Sequence, residues 1–167
     1  MKIILIGMPG SGKSSLATEM SREAGLEYID SDVFIENKFN LSINEIFSNS
    51  GENKFREYEH KALKEIFEKD NIILSTGGGM PCYYNNIDLM NNAGITVYLK
   101  TSVEILMKRL INNSTERPLI KDKSNKEIKE YLNTTLKDRE QFYLKAKYII
   151  DAEKSIEEML KLIPFNY

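Results

Sequence analysis

The sequence predicts an α/β fold, a parallel sheet with helices on both faces, on three observations. Short runs rich in Ile, Leu and Val alternate along the chain with longer amphipathic segments. The short runs are continuously apolar, the pattern of strands buried on both faces. A glycine-rich stretch follows the first run at once and leads into a helical segment, the order of a strand–loop–helix unit.

The candidate strands, in order, are 2–6, 26–30, 71–75, 94–99 and 147–151, with helical segments between them. Four helix starts carry a capping box, in which a hydroxyl and an acid three residues on satisfy free backbone donors. These are Ser42 with Glu45, Thr101 with Glu104, Ser124 with Glu127 and Ser155 with Glu158. The stretch 112–124 is polar and aperiodic, and is expected to be a mobile loop between two helices.

At 167 residues the chain is long enough for one compact domain and short for two, so 1–167 is expected to be a single domain. A net charge of −2 provides no broad attraction for nucleic acid or anionic lipid, and neither is an expected partner. The apolar run after Met1-Lys2 is too short for a signal sequence or a membrane span, which makes the cytoplasm the default compartment. The single Cys82 excludes an internal disulfide and a multi-cysteine metal site. A monomer is expected.

Chemistry first shows at Gly7-Met8-Pro9-Gly10-Ser11-Gly12-Lys13-Ser14, which fits G-x-x-x-x-G-K-[ST] in full, directly after a strand and before a helix. In such a loop the glycines let backbone N–H groups converge on phosphate oxygens, and the helix N-terminus adds partial positive charge. Lys13 is expected to reach the β- and γ-phosphates of ATP and the Ser14 hydroxyl to ligate magnesium.

A second acid for magnesium is absent where many such proteins carry it, because Ile72-Ile73-Leu74 ends in Ser75-Thr76-Gly77. The acids stand instead at Asp30-Ser31-Asp32, after another strand, where alternate residues of an extended chain project to one face. One carboxylate would hold magnesium's water shell and the other would meet an acceptor. The bland alternative is that either simply caps the next helix.

An anionic acceptor is indicated by arginines on apolar faces. Arg56 and Glu59 fall on a helical stripe with Phe55, Ala62, Leu63 and Ile66, as either a structural ion pair or a site. Arg139 shares a face with Ile128, Leu132, Thr135 and Tyr143 and needs an anionic partner there. Two such arginines suit a small carboxylate, or else protein acids. Gly77-Gly78-Gly79 at a strand's carboxyl end permits close approach of backbone to ligand. Arg109, at a helix end, and Arg117, in the loop 112–124, are placed to close over ATP; for Arg109 a solvated helix end is nearly as good a reading. His60 and Cys82 have no chemical role in this scheme.

In their order these pieces resemble the shikimate kinase family. The resemblance is carried by 7–15, by Asp30-Ser31-Asp32 with Ile35-Glu36, by Ile43 to Phe47, and by Gly51-Glu52 with Phe55-Arg56 and Glu59. Gly77-Gly78-Gly79, Arg117-Pro118-Leu119 and Arg139 with Tyr143 complete it. The resemblance implies a three-layer P-loop NTPase fold with a five-stranded parallel sheet in the order 2-3-1-4-5. It implies transfer of the γ-phosphoryl of ATP to the 3-hydroxyl of shikimate, a step of aromatic amino acid biosynthesis, with Mg2+ as cofactor. Lys13, Asp32 and Arg117 would be catalytic. Gly10, Ser11, Gly12, Lys13, Ser14, Ser15, Arg109 and Arg117 would bind ATP, with Arg109 flanking the adenine. Asp32, Arg56, Glu59, Gly78, Arg139, Phe47 and Phe55 would bind shikimate, and Ser14 with Asp30, through water, would hold the metal. The acceptor-binding segment would span about 31–62 and a lid about 112–124. The rival readings are a gluconate-type or other small-metabolite kinase and a nucleotide-binding module without catalysis.

Overall fold

In the computed structural model, which describes residues 1–112 and 124–164, the first apolar run becomes the central strand. β1 (Lys2–Ile6) pairs in parallel with β3 (Ile72–Ser75) on one side and β4 (Ile95–Lys100) on the other. β2 (Glu27–Asp30) and β5 (Tyr148–Asp151) close the edges, giving the order β2-β3-β1-β4-β5. All five expected strands form, and the expected sheet order is the observed one.

Why β1 lies at the centre follows from its sequence. Ile3, Ile4, Leu5 and Ile6 are all fully buried, and successive side chains of a strand point to opposite faces. Ile3 and Leu5 join the core beneath α1 (Lys13–Ala24) and α7 (Ile156–Leu162). Ile4 and Ile6 join the larger core formed with α2 (Ser31–Phe39), α3 (Ile43–Ile66), α4 (Asn86–Ala93), α5 (Val103–Asn112) and α6 (Asn125–Tyr143). A continuous apolar run thus supplies both layers. The expectation of burial on both faces does not extend to β5: Tyr148 and Ile149 are exposed, because β5 is an edge strand with no neighbour beyond it.

Three of the expected capping boxes are present, at Ser42, Ser124 and Ser155. The fourth is not. α5 begins at Val103, so Ser102 occupies the cap position and Thr101 bonds back to the Leu99 carbonyl. Within α3 the helix breaks at Gly51, whose φ of 75° and ψ of 173° lie in a region open essentially to glycine alone. Among the described residues no helix is long and apolar enough to cross a membrane.

Candidate active site

All parallel strands present their carboxyl ends to the same edge, and the singled-out residues that the structure describes collect there. Between β1 and α1 the loop turns on Gly10 and Gly12, with φ of 84° and 99°, conformations that side-chain-bearing residues rarely adopt. Lys13 is buried, and its Nζ donates to the carbonyls of Gly7 (3.0 Å) and Met8 (2.8 Å), so the ammonium lies folded across the loop. Residues 10–15 line a cavity of about 430 Å³ together with Arg109, Ala152, Lys154, Ile156 and Met159. Arg109 is no solvated helix end: its guanidinium donates to the carbonyls of Gly10, Ser11 and Ala152 at 3.1–3.2 Å. It thereby ties the phosphate loop to the segment after β5.

Beside this cavity stand the two acids. The capping alternative holds for Asp30, whose Oδ1 accepts from the backbone N–H of Asp32 (2.9 Å) and Val33 (3.3 Å). Asp32 is therefore in the first turn of α2, and the extended alternation expected for the pair does not apply. The helical turn nonetheless keeps the carboxylates close. Burial first, and then the charge of Asp30, raises the Asp32 carboxyl above its ordinary value, while Lys13 pulls it down. The Tyr28 hydroxyl donates to Asp30 Oδ2 (3.3 Å) and also meets the Ser14 hydroxyl, so Ser14 and Asp30 flank one spot. A hydroxyl and a carboxylate there are hard oxygen donors of the kind Mg2+ takes when it keeps most of its waters. The residues fit that ion.

The acceptor side is organised by the three glycines after β3. A Cβ on Gly77 would stand 2.7 Å from Asp32 Oδ1 and 3.2 Å from Glu59 Oε1. On Gly78 it would meet Arg139 Nη1 at 2.9 Å, and on Gly79 it would meet Arg56 Nη1 at 2.5 Å. Each glycine leaves room for the polar end of a side chain from α2, α3 or α6 against the bare backbone, and Gly78 also for the Pro9 ring, whose Cδ a Cβ would meet at 2.8 Å. Arg56 and Arg139 thus converge on consecutive residues, from two helices. The Tyr143 hydroxyl donates to the Gly78 carbonyl at 2.5 Å and anchors the run. Phe55 is buried, with Phe47 packed on it at 4.7 Å between ring centroids.

Arg56 pairs with protein acids, as the bland reading had it: Nη1 donates to Glu59 Oε2 (2.7 Å), and Nη2 and Nε donate to Glu52 Oε1 (2.8 and 3.2 Å). Among the described residues no carboxylate comes within ion-pair distance of Arg139. Glu59 is 1 % exposed, and its Oε1 has no partner among the described residues. Burial outweighs the nearby Arg56 and pushes the Glu59 carboxyl up to about 7.

The family described as shikimate kinase matches residues 9–163. The chain belongs to the shikimate kinase family. It is 46% identical over 154 residues to a shikimate kinase of Azobacteroides pseudotrichonymphae genomovar. CFP2, covering 92% of this chain and 91% of that one. Among solved structures it resembles the shikimate kinase of Bacteroides thetaiotaomicron, with a TM-score of 0.93 at 35% identity over 96% of this chain and 94% of that one. It also resembles the Acinetobacter baumannii shikimate kinase solved in complex with shikimate, at a TM-score of 0.86 and 31% identity over 96% and 91% of the two chains.

Of the residues matched to shikimate kinase motifs, Arg117 lies outside the described residues, as does most of the expected lid. His60 bonds through Nδ1 to Asn86 Oδ1 (2.7 Å), and Cys82 is a half-buried thiol pushed up to about 11, chiefly by burial. Three groups at the site were given no task of their own by the sequence reading: Tyr28 and Glu52, which stand only within matched motifs, and Tyr83. Glu52 was legible at i−4 from Arg56 on one helix. Tyr28 was legible two residues before Asp30 on a strand. Nothing local in the sequence marks Tyr83.

Proposed function

We propose that this protein transfers the γ-phosphoryl of ATP to the 3-hydroxyl of shikimate, giving shikimate 3-phosphate and ADP. The observation that carries the reading is the convergence of Asp32, Glu59, Arg139 and Arg56 on Gly77–Gly79, beside the phosphate loop. Phosphoryl transfer asks mainly for alignment and neutralisation of charge. The loop N–H groups and Lys13 hold the phosphates, with Lys13 leaving the Gly7 and Met8 carbonyls to do so. Ser14 and, through water, Asp30 would hold Mg2+, which when bound neutralises charge on the β- and γ-phosphate oxygens. Arg109 borders the cavity where the rest of the nucleotide lies.

Arg56 and Arg139 grip the acceptor's carboxylate. At Arg56 that carboxylate takes the place of Glu52, whose side chain is 53% exposed and has solvent to move into. Asp32 orients the acceptor hydroxyl and takes its proton on a carboxylate oxygen; burial and the charge of Asp30 make it a stronger base than a solvated carboxylate. Phe47 and Phe55 wall the ring.

A coupled ADP-release assay with shikimate, gluconate, nucleoside monophosphates and no acceptor tests the assignment. Turnover is expected with shikimate alone. Faster turnover with gluconate or a nucleotide, or ATP consumption indifferent to the acceptor, contradicts it.

A further inference from the structure

We propose that Tyr83 is a positioning residue for the acceptor's carboxylate, acting through Arg56. The Arg56 guanidinium lies over two rings, with its Cζ 4.5 Å from the Tyr83 centroid and 5.2 Å from that of Phe55. A cation over an aromatic face is held there electrostatically without spending an N–H donor. The Tyr83 hydroxyl donates to Glu52 Oε1 at 3.2 Å, the same oxygen that accepts from Nε and Nη2 of Arg56. One side chain therefore touches both the arginine and the carboxylate that an acceptor must displace from it. When Glu52 gives way, the ring still fixes the guanidinium plane, and the hydroxyl keeps a hold on the departing acid. Tyr83 also borders, with Arg139, a second cavity of about 410 Å³, so both arginines have this residue in their surroundings.

The backbone is built to hold it there. Tyr83 opens a turn closed by the Asn86 N–H on the Tyr83 carbonyl (2.9 Å), and both central residues, Tyr84 and Asn85, have positive φ (51° and 55°). This is the mirror-image turn that normally calls for Gly or Asn, so an aromatic residue at its first central position is strained. The surroundings enforce it. The Tyr84 ring packs on His60 at 5.2 Å, and His60 bonds to Asn86, whose Nδ2 donates to the Met80 carbonyl at 2.9 Å. His60, idle in the chemistry, braces the turn that presents Tyr83.

The inference rests on the proposed shikimate reading, and kinetics of Tyr83→Leu and Tyr83→Phe separate the two. Tyr83→Leu raises KM for shikimate about tenfold, and Tyr83→Phe, which keeps the ring, raises it about threefold. KM for ATP and kcat stay within about twofold in both variants. With the carboxamide of shikimate, which lacks the anion that Arg56 holds, Tyr83→Leu causes no further loss. An unchanged KM for shikimate, or a rise shared equally by ATP or by the carboxamide, overturns the role of Tyr83. A wild-type protein without turnover on shikimate overturns the functional reading, and this inference with it.

Discussion

Arg56 and Arg139 differ in what surrounds them. Arg56 is 7 % exposed and held by two carboxylates, while Arg139 is half-buried with no carboxylate paired to it among the described residues. An arginine with no ion-paired carboxylate among the described residues, lying against Gly78, has the charge to hold a ligand's anion, the role proposed for it here. Glu59 has the opposite problem, a buried carboxylate with one oxygen satisfied and one without a partner among the described residues. Its carboxyl is raised from an ordinary 4.5 to about 7, so the fold favours its protonated form. The stability this contributes is fully present below pH 4.5 and is lost as pH rises through 7. Glu59→Gln cannot lose a proton there. Thermal unfolding from pH 5 to 8 is expected to move in favour of the Gln variant relative to wild type as pH rises. Melting curves that run parallel across that range contradict the assignment. The Arg56–Glu59 pair was legible from i, i+3 spacing on an apolar stripe, although spacing could not show that one Glu59 oxygen has no partner among the described residues.

At the scale of elements, two glycines do different work. Gly51 is open to solvent, with nothing within 4 Å of where a Cβ would sit, but its φ of 75° breaks α3 into two segments. Gly79 has an unstrained backbone, and a Cβ there would meet the Arg56 guanidinium. Gly51→Ala is therefore expected to lower stability by about 1–3 kcal/mol with little change in KM. Gly79→Ala displaces the flexible end of Arg56 rather than the core, so KM for the acceptor rises about tenfold with melting nearly unchanged. Denaturant unfolding and steady-state kinetics on both variants check the contrast, and a reversal of the two effects sinks it. The element-level signals in the sequence were strong wherever backbone chemistry dictated them, in the phosphate loop and three of the four capping boxes. They failed where one residue of offset decided the outcome. Thr101 lies one position before the cap, and Asp30 ends a strand that Asp32 has already left. The turn presenting Tyr83 was illegible because tertiary contacts, and not local preference, hold Tyr84 at positive φ.

For the whole molecule, the sheet order explains why residues so distant in sequence share one site. β1 lies between β3 and β4, so the phosphate loop has the three glycines on one side. Asp30 is in register with Ser75, which brings the acid pair to the start of the same glycine run. α3 and α6 then deliver one arginine each from the layer that covers this face of the sheet. This topology follows from apolar runs that were plain in the sequence, and the order itself came through family resemblance, because periodicity alone does not rank strands within a sheet. Arg56 and Arg139, which lie against neighbouring glycines, are proposed to hold an acceptor's carboxylate next to the nucleotide. The most direct measurement is the pair of KM values for Arg139→Gln, since Arg139 has no protein carboxylate among the described residues to leave stranded. KM for shikimate is expected to rise about 10- to 100-fold, with KM for ATP within about twofold of wild type. An unchanged KM for shikimate, or an equal rise for both substrates, would contradict it.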